Sequence, residues 1–225
     1  MSKEMFDQSA VDFAETTDRA IASETYVRGQ LFIDALKRHV HLGARVLDFG
    51  CGPGRIARMA AEAGYDVEGA DSSTGMIAVA NSQVTGRLKL RFRECDGLGD
   101  DLETARYDAI VCSSVIEYIP EANRLLRNFT RATRPGAVLA ISYANKRSVW
   151  RAYVRQANRD KPHYAVQCNI WSFAEMAGHL SQAGFQVLTK PVFLEASAFD
   201  KRPALRFMSR SALVGTLGFV VASKA

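Results

Sequence analysis

The stretch Arg45-Val46-Leu47-Asp48-Phe49-Gly50-Cys51-Gly52-Pro53-Gly54 constrains this chain more than any other. A short apolar run carries an acid and then meets three glycines at alternate positions. Directly behind it, Arg55 to Ala63 has the alanine-rich composition of a helix with little side-chain entropy to lose. Strand, glycine turn and helix in that order open a nucleotide-binding, doubly wound α/β sheet. Glycine lets the backbone bend sharply and lets a ligand approach where a Cβ would collide. A dinucleotide site calls for G-x-G-x-x-G, but the third glycine of that pattern falls on Arg55 here. A P-loop calls for Gly-Lys followed by Ser or Thr, and none follows.

The string Leu47 to Gly54 resembles motif I of the class I S-adenosylmethionine-dependent methyltransferases. The resemblance implies a Rossmann-like α/β fold: a seven-stranded, mostly parallel sheet with an antiparallel last strand and helices on both faces. It implies S-adenosyl-L-methionine as cofactor, held around Asp48, Gly50, Cys51, Gly52 and Gly54. Phe6-Asp7 and Phe13 are similar to the leader that folds over the cofactor in many small-molecule members; a frayed terminus is the alternative. Thr25 to His39 reads as an amphipathic helix, and the resemblance suggests that its Arg28 reaches the cofactor's carboxylate.

The elements that follow fit the same order. Tyr65 to Ala70 is an expected strand ending in Asp71, an acid about 20 residues beyond the glycine turn and placed to accept from ribose hydroxyls. Ser72 or Ser73 caps an expected helix over Thr74 to Asn81, whose Met76 can pack against adenine. Leu88 to Arg93 alternates apolar and basic residues as a half-exposed strand does. In the family, an acid after that strand meets the adenine amino group; Cys95-Asp96-Gly97 stands there, and an Asp-Gly turn is the plain alternative.

Tyr107 to Cys112 is the expected fourth strand, continued by Ser113-Ser114-Val115-Ile116-Glu117-Tyr118-Ile119-Pro120. This segment resembles the post-β4 L-E-H-[VI]-P stretch of ubiquinone-biosynthesis-type methyltransferases, with Tyr118 in place of the histidine. The resemblance puts Ser113 at the cofactor and Glu117 and Tyr118 at the acceptor. Neither [DN]-P-P-[YF] nor Pro-Cys is present, which counts against a nucleobase acceptor. Glu121 to Thr133 reads as a helix stopped by Pro135-Gly136, Ala137 to Tyr143 as a fifth strand and Trp171 to Ala183 as a helix. Phe185 to Val192 and Leu213 to Ala222 read as the last two strands. Sequential strand–helix repeats of this kind give a parallel sheet with right-handed crossovers.

Two basic segments break the pattern. Arg147, Arg151, Arg155 and Arg159 recur every fourth residue between Lys146 and Lys161, the spacing of one helix face. Lys201, Arg202, Arg206 and Arg210 repeat the theme before the last strand. Both segments leave carboxyl ends of strands, the edge where ligands bind, so residues 144–170 and 194–212 are expected to rim the acceptor pocket and residues 1–40 to form a helical lid on a single domain spanning 1–225. Three readings of the charge stay open: a solvated face, an anionic small-molecule acceptor, or an anionic membrane surface carrying a lipid-soluble acceptor. Nucleic acid would use the same charge but lacks the supporting motifs.

Methyl transfer from a sulfonium is an in-line displacement in which positioning supplies most of the effect. A hydroxyl acceptor also wants a base; Glu117, Tyr118 and His163 are the candidates, and Tyr143 and Asn145 are expected to orient the acceptor with Arg147, Arg151 and Arg155. The four histidines show no metal-ligand spacing, so no metal is expected. Four cysteines without a C-x-x-C pair suggest reduced thiols in a cytoplasmic protein, and no apolar run approaches the ~18 residues of a membrane span. The expected activity is methyl transfer to a small molecule, most simply at oxygen. A cofactor-binding protein without transfer activity, an N- or C-methyltransferase and a nicotinamide oxidoreductase are the alternatives.

Overall fold

The computed structural model describes residues 4, 6, 7, 10, 24–84, 86–158, 166–194 and 210–225, with the backbone alone for 24–27. Helix α1 (Glu24–His39) turns Phe32, Ile33, Ala35 and Leu36 inward. Its last turn carries Lys37, Arg38 and His39, the sign that suits a helix C-terminus. Strand β1 (Arg45–Phe49) then runs parallel to β2 (Asp66–Asp71) on one side and to β4 (Tyr107–Cys112) on the other. Helices α2 (Arg55–Glu62) and α3 (Thr74–Ser82) and strand β3 (Leu90–Glu94) fill the first half. The second half holds α4 (Ala122–Ala132), β5 (Thr133–Ala144), α5 (Val149–Ala157) and α6 (Phe173–Gln182). Strands β6 (Phe185–Val187), β7 (Val192–Leu194) and β8 (Leu217–Lys224) complete it.

The sheet order is β3-β2-β1-β4-β5-β8-β6, with β7 also on β8, and β8 is antiparallel to its neighbours. Because side chains alternate across a strand, Val46, Ala109 and Val111 face a core with Phe32, Leu36 and Ala57. Leu47, Phe49 and Ile110 face the opposite core with Leu125 and Phe129. The strand order reverses between β1 and β4, and ligands of open α/β sheets bind at the carboxyl ends beside such a switch point. The far edge is tied by Glu68, which accepts from Arg93 (2.6 Å), Tyr107 (2.7 Å) and Arg91 (3.0 Å). Burial alone would raise its pKa, but those hydrogen bonds more than offset it and hold the carboxyl at about 2.

Three expectations need correction. Pro135 and Gly136 do not sit in a stop between helix and strand: β5 starts at Thr133, and Arg134 to Gly136 form its exposed, irregular beginning, where the register with β4 shifts. A missing N–H is harmless there. The sheet has eight strands rather than seven because the expected sixth is two pieces. The break falls around Pro191, which has no N–H for the ladder; beside it Val221 N donates to the Thr189 hydroxyl (3.1 Å), which stands in for a strand carbonyl. The arginine-spaced helix is also shorter than its spacing suggests, starting at Val149 behind a Ser148 cap and ending at Ala157.

Candidate functional site

A cavity of about 650 Å³ opens at the carboxyl ends of β1, β2 and β4. Its first wall is backbone. Gly50 N and Cys51 N both donate to Ala70 O, at 2.7 and 3.0 Å, which hooks the turn after β1 over the end of β2. Gly50 has φ +69°, and a Cβ there would stand 2.1 Å from Val115, so neither the backbone nor the packing accepts another residue. Gly52 differs: its Cβ would meet nothing nearer than Met76 Sδ at 4.0 Å and would project into the opening. Gly54 and Gly97 do not line the cavity; their Cβ positions would strike Phe92 (2.4 Å) and Phe49 (2.6 Å). These two glycines serve packing.

Asp71 closes β2 and fixes the turn. Its Oδ2 accepts from Gly52 N and its Oδ1 from Ser73 N, both at 2.9 Å. Each carboxylate oxygen keeps a second lone pair, and Asp71 lines the cavity with Ser72 and Met76. Burial raises its pKa, and the nearby Asp7 charge adds to the rise. Asp48 lies deeper, 2% exposed, and its Oδ2 has no hydrogen-bond partner among the described residues. Burial first, and the charge of Asp71 in addition, push its pKa up to about 7 against a lowering bond from the Ala57 backbone. The Cys51 thiol beside it is pushed up by burial. Ser73, rather than Ser72, caps α3 by accepting from Met76 N (3.1 Å).

Two residues near the N-terminus meet this wall. Asp7 Oδ1 accepts from Ser73 Oγ (2.6 Å) and Gly75 N (3.1 Å). Phe6 lines the cavity and meets the Tyr118 ring edge-on, with centroids 5.5 Å apart. Arg28 of α1 donates to Ser114 Oγ at 2.7 Å. Ser114 holds φ +55°, strained for a non-glycine residue, and its N–H donates to Ser142 Oγ. Cys95, Asp96 and Ser113 also line the cavity, and Asp96 Oδ1 accepts from Leu98 N at 2.8 Å as an Asp-Gly turn requires.

The opposite end is made by distant segments, mostly through side chains. A short 3₁₀ turn, Ile116–Tyr118, brings Glu117 (2% exposed) and Tyr118 to the cavity. Cys168 N and Asn169 N pin this turn by donating to Glu117 O. Arg151, in the first turn of α5, is 7% exposed. It donates to Thr216 O (3.3 Å) and to Gln167 Oε1, and Gln167 Nε2 donates to Tyr118 Oη (3.1 Å).

Several expected acceptor residues stand elsewhere. Tyr143 is in the core, its ring packed over Gly218, and its hydroxyl has no hydrogen-bond partner among the described residues. Asn145 is buried and occupied structurally: its amide donates to Ala212 O and Gly215 O while Oδ1 accepts from Arg147 N. Arg147 precedes α5 and is exposed, and Arg155 is exposed on it, so the arginines do not form one face. Arg159 and His163 lie outside the described residues, as do Phe13 and most of the second basic segment. Gln167 and Thr216 carry no signal in the sequence, and neither does Ser114, whose left-handed backbone shows only in the fold.

A methyltransferase-domain family matches residues 22–190. Among curated proteins, a ubiquinone biosynthesis O-methyltransferase of Xanthomonas oryzae pv. oryzae is 29% identical over 107 residues, 46% of this chain and 44% of the relative. One from Coxiella burnetii is 30% identical over the same length, 46% and 45%. The match thus spans less than half the length of these curated relatives. Among solved structures, magnesium protoporphyrin IX methyltransferase from Synechocystis PCC 6803 with bound SAH is similar at TM-score 0.74 and 16% identity, covering 100% of this chain and 98% of that one. A chain from the complex of the Haloferax volcanii Trm112 methyltransferase activator with a methyltransferase gives TM-score 0.71 at 20% identity, covering 97% and 96%. At such identities the structures speak for the fold.

Proposed function

The chain belongs to the methyltransferase-domain family, among the class I S-adenosylmethionine-dependent methyltransferases, and from that premise we propose that it moves a methyl group to an oxygen of a small acidic molecule. One observation carries this reading: a single cavity runs from the glycine turn to Arg151, Gln167, Tyr118 and Glu117, so donor and acceptor would share one space. Its volume, about 650 Å³, falls in the range of small-molecule sites.

The residues fit the cofactor. A buried carboxylate oxygen without a partner among the described residues, Asp48 Oδ2, suits an ammonium group. The open side of Gly52 leaves the room that a side chain would fill. Asp48 and Arg28 would hold the amino-acid end, Asp71 the ribose hydroxyls, and Met76 and Asp96 the adenine. When bound, S-adenosylmethionine supplies a methyl group on a positively charged sulfur, open to displacement. The protein's part is to align the acceptor and to remove its proton. Glu117, which lines the cavity, would take a hydroxyl proton, while Arg151 and Tyr118 would orient the acceptor. A carboxylate acceptor would need no base.

The test is incubation of the full chain with methyl-labelled S-adenosylmethionine and a panel of hydroxylated acids and their neutral analogues, read by mass spectrometry. Labelled product from the acids, lost in Glu117→Gln, is expected. Cofactor binding with no product across the panel would instead indicate a binding protein without transfer activity. A second reading concerns where the acceptor comes from. Val149, Tyr153 and Leu213 are exposed (65%, 64% and 54%) beside Arg147 and Arg155, a face suited to an anionic lipid surface. Salt-sensitive binding to phosphatidylglycerol vesicles would support it, and no binding would remove it. No described helix is long and apolar enough to cross a membrane.

A further inference from the structure

The acceptor end contains a hydrogen-bond chain whose direction is fixed at its source. A guanidinium can only donate. Arg151 reaches Thr216 O through Nη1 and Gln167 through Nη2, so the Gln167 atom facing it must be the amide oxygen. The amide nitrogen is then at the other end, 3.1 Å from Tyr118 Oη, and donates to it. The usual ambiguity of an amide's two ends is removed by Arg151, the donor-only neighbour. A hydroxyl whose oxygen accepts from an NH2 group keeps its own proton turned away from that donor. Donor polarity thus passes from Arg151 through Gln167 to Tyr118, and all three residues line the cavity. Glu117, one residue before Tyr118, is the contrasting group: buried, at the same end, and an acceptor when ionised.

We propose that Gln167 is a specificity-determining residue: it makes this wall a donor surface that selects an acceptor carrying a carboxylate next to the hydroxyl to be methylated. The inference rests on the methyl-transfer reading of the cavity. The carboxylate answers the donor wall and the hydroxyl proton answers Glu117, so one compact hydroxy acid satisfies both. A carboxylate is favoured over a neutral carbonyl because hydrogen bonds between charged partners are stronger, and Arg151, 7% exposed, brings a permanent charge to this wall. Replacing the glutamine by a carboxylate would reverse the chain. Residue 167 would accept from both sides, the Tyr118 proton would turn toward it, and the charge of Arg151 would be cancelled locally.

The experiment uses the full chain saturated with S-adenosylhomocysteine, titrated by calorimetry with salicylate and with its neutral analogue salicylamide. The wild type is expected to prefer salicylate by about tenfold, the scale of one charge-assisted hydrogen bond. Gln167→Glu is expected to lose or invert that preference, and Gln167→Met, which interrupts the chain without adding charge, to reduce it. S-adenosylhomocysteine affinity should be unchanged in both variants, which also reports that they fold. Equal binding of the two probes to the wild type, binding of neither, or a preference that survives both substitutions overturns the assignment. Failure of the wild type to bind S-adenosylhomocysteine would instead remove the methyl-transfer reading and this inference with it.

Discussion

The two ends of the cavity are built by different means. The glycine-turn end is almost all backbone and short-range: residues 45 to 76 supply the strand ends, the hooked turn over Ala70, and the carboxylate of Asp71 locked by two N–H groups. The other end is mostly side chains, those of Tyr118, Arg151 and Gln167 anchored on the Thr216 carbonyl, brought together by β4, α5 and β8. A backbone site tolerates no change in the conformation of its turn. A side-chain site can be rewritten one residue at a time while the sheet stays as it is. Damage at the first end should therefore reach folding and cofactor together, and damage at the second should reach the acceptor alone.

Gly50→Ala should break the first end most severely. It combines a left-handed backbone cost of about 1–2 kcal/mol with overpacking against Val115, a further 1–3 kcal/mol or so. Urea unfolding should show a loss of that combined order, with no measurable S-adenosylhomocysteine binding; wild-type stability would refute the turn's role. Asp71→Ala comes next, weakening S-adenosylhomocysteine by roughly 1–3 kcal/mol in calorimetry as a charge-assisted partner is removed. Affinity within experimental error of wild type would leave Asp71 as a cap of the turn only.

Asp48 gives a pH dependence with a definite sign. Its folded pKa is raised from 3.8 to about 7, so the folded state keeps a proton that the unfolded state has lost in between. Its contribution to stability therefore falls as pH rises from 3.8 through about 7. Binding should run the other way, because only the ionised carboxylate attracts an ammonium group. S-adenosylhomocysteine affinity should climb by up to about tenfold per pH unit below the pKa and level off above it. Asp48→Asn should flatten that profile, and a profile unchanged by the substitution would place the ammonium elsewhere. The smallest effect belongs to the outer face of α5. Val149→Ser with Tyr153→Ser should cost about 1 kcal/mol of stability, mainly the stacking of Tyr153 on Trp150, while removing any binding to anionic vesicles.

Legibility in the sequence followed the same division. The strand, turn and helix around Asp48 to Gly54 and the acid closing β2 could be read in advance as structure because turn geometry restricts residue type and the unit is contiguous, although Gly54 packs against Phe92 instead of lining the cavity. The arginine series misled because spacing alone does not say where a helix begins. The Ser148 cap starts α5 at Val149, which leaves Arg147 outside and carries Arg151 inward to Thr216 and Gln167. Tyr143 and Asn145 were expected at the cavity from their place at the end of a strand. Yet alternation turns Tyr143 onto Gly218 in the core, and the carbonyls of Ala212 and Gly215 occupy Asn145. Gln167 could not be found at all, since a lone glutamine in a loop acquires meaning only from the two residues it touches.

The most direct test is a calorimetric titration of S-adenosylhomocysteine into the wild type, Asp71→Ala and Arg151→Gln in parallel. The account predicts binding by the wild type, marked weakening in Asp71→Ala, and wild-type affinity in Arg151→Gln. Absence of binding in the wild type, or equal weakening in both variants, would contradict the division of the cavity into a cofactor end and an acceptor end.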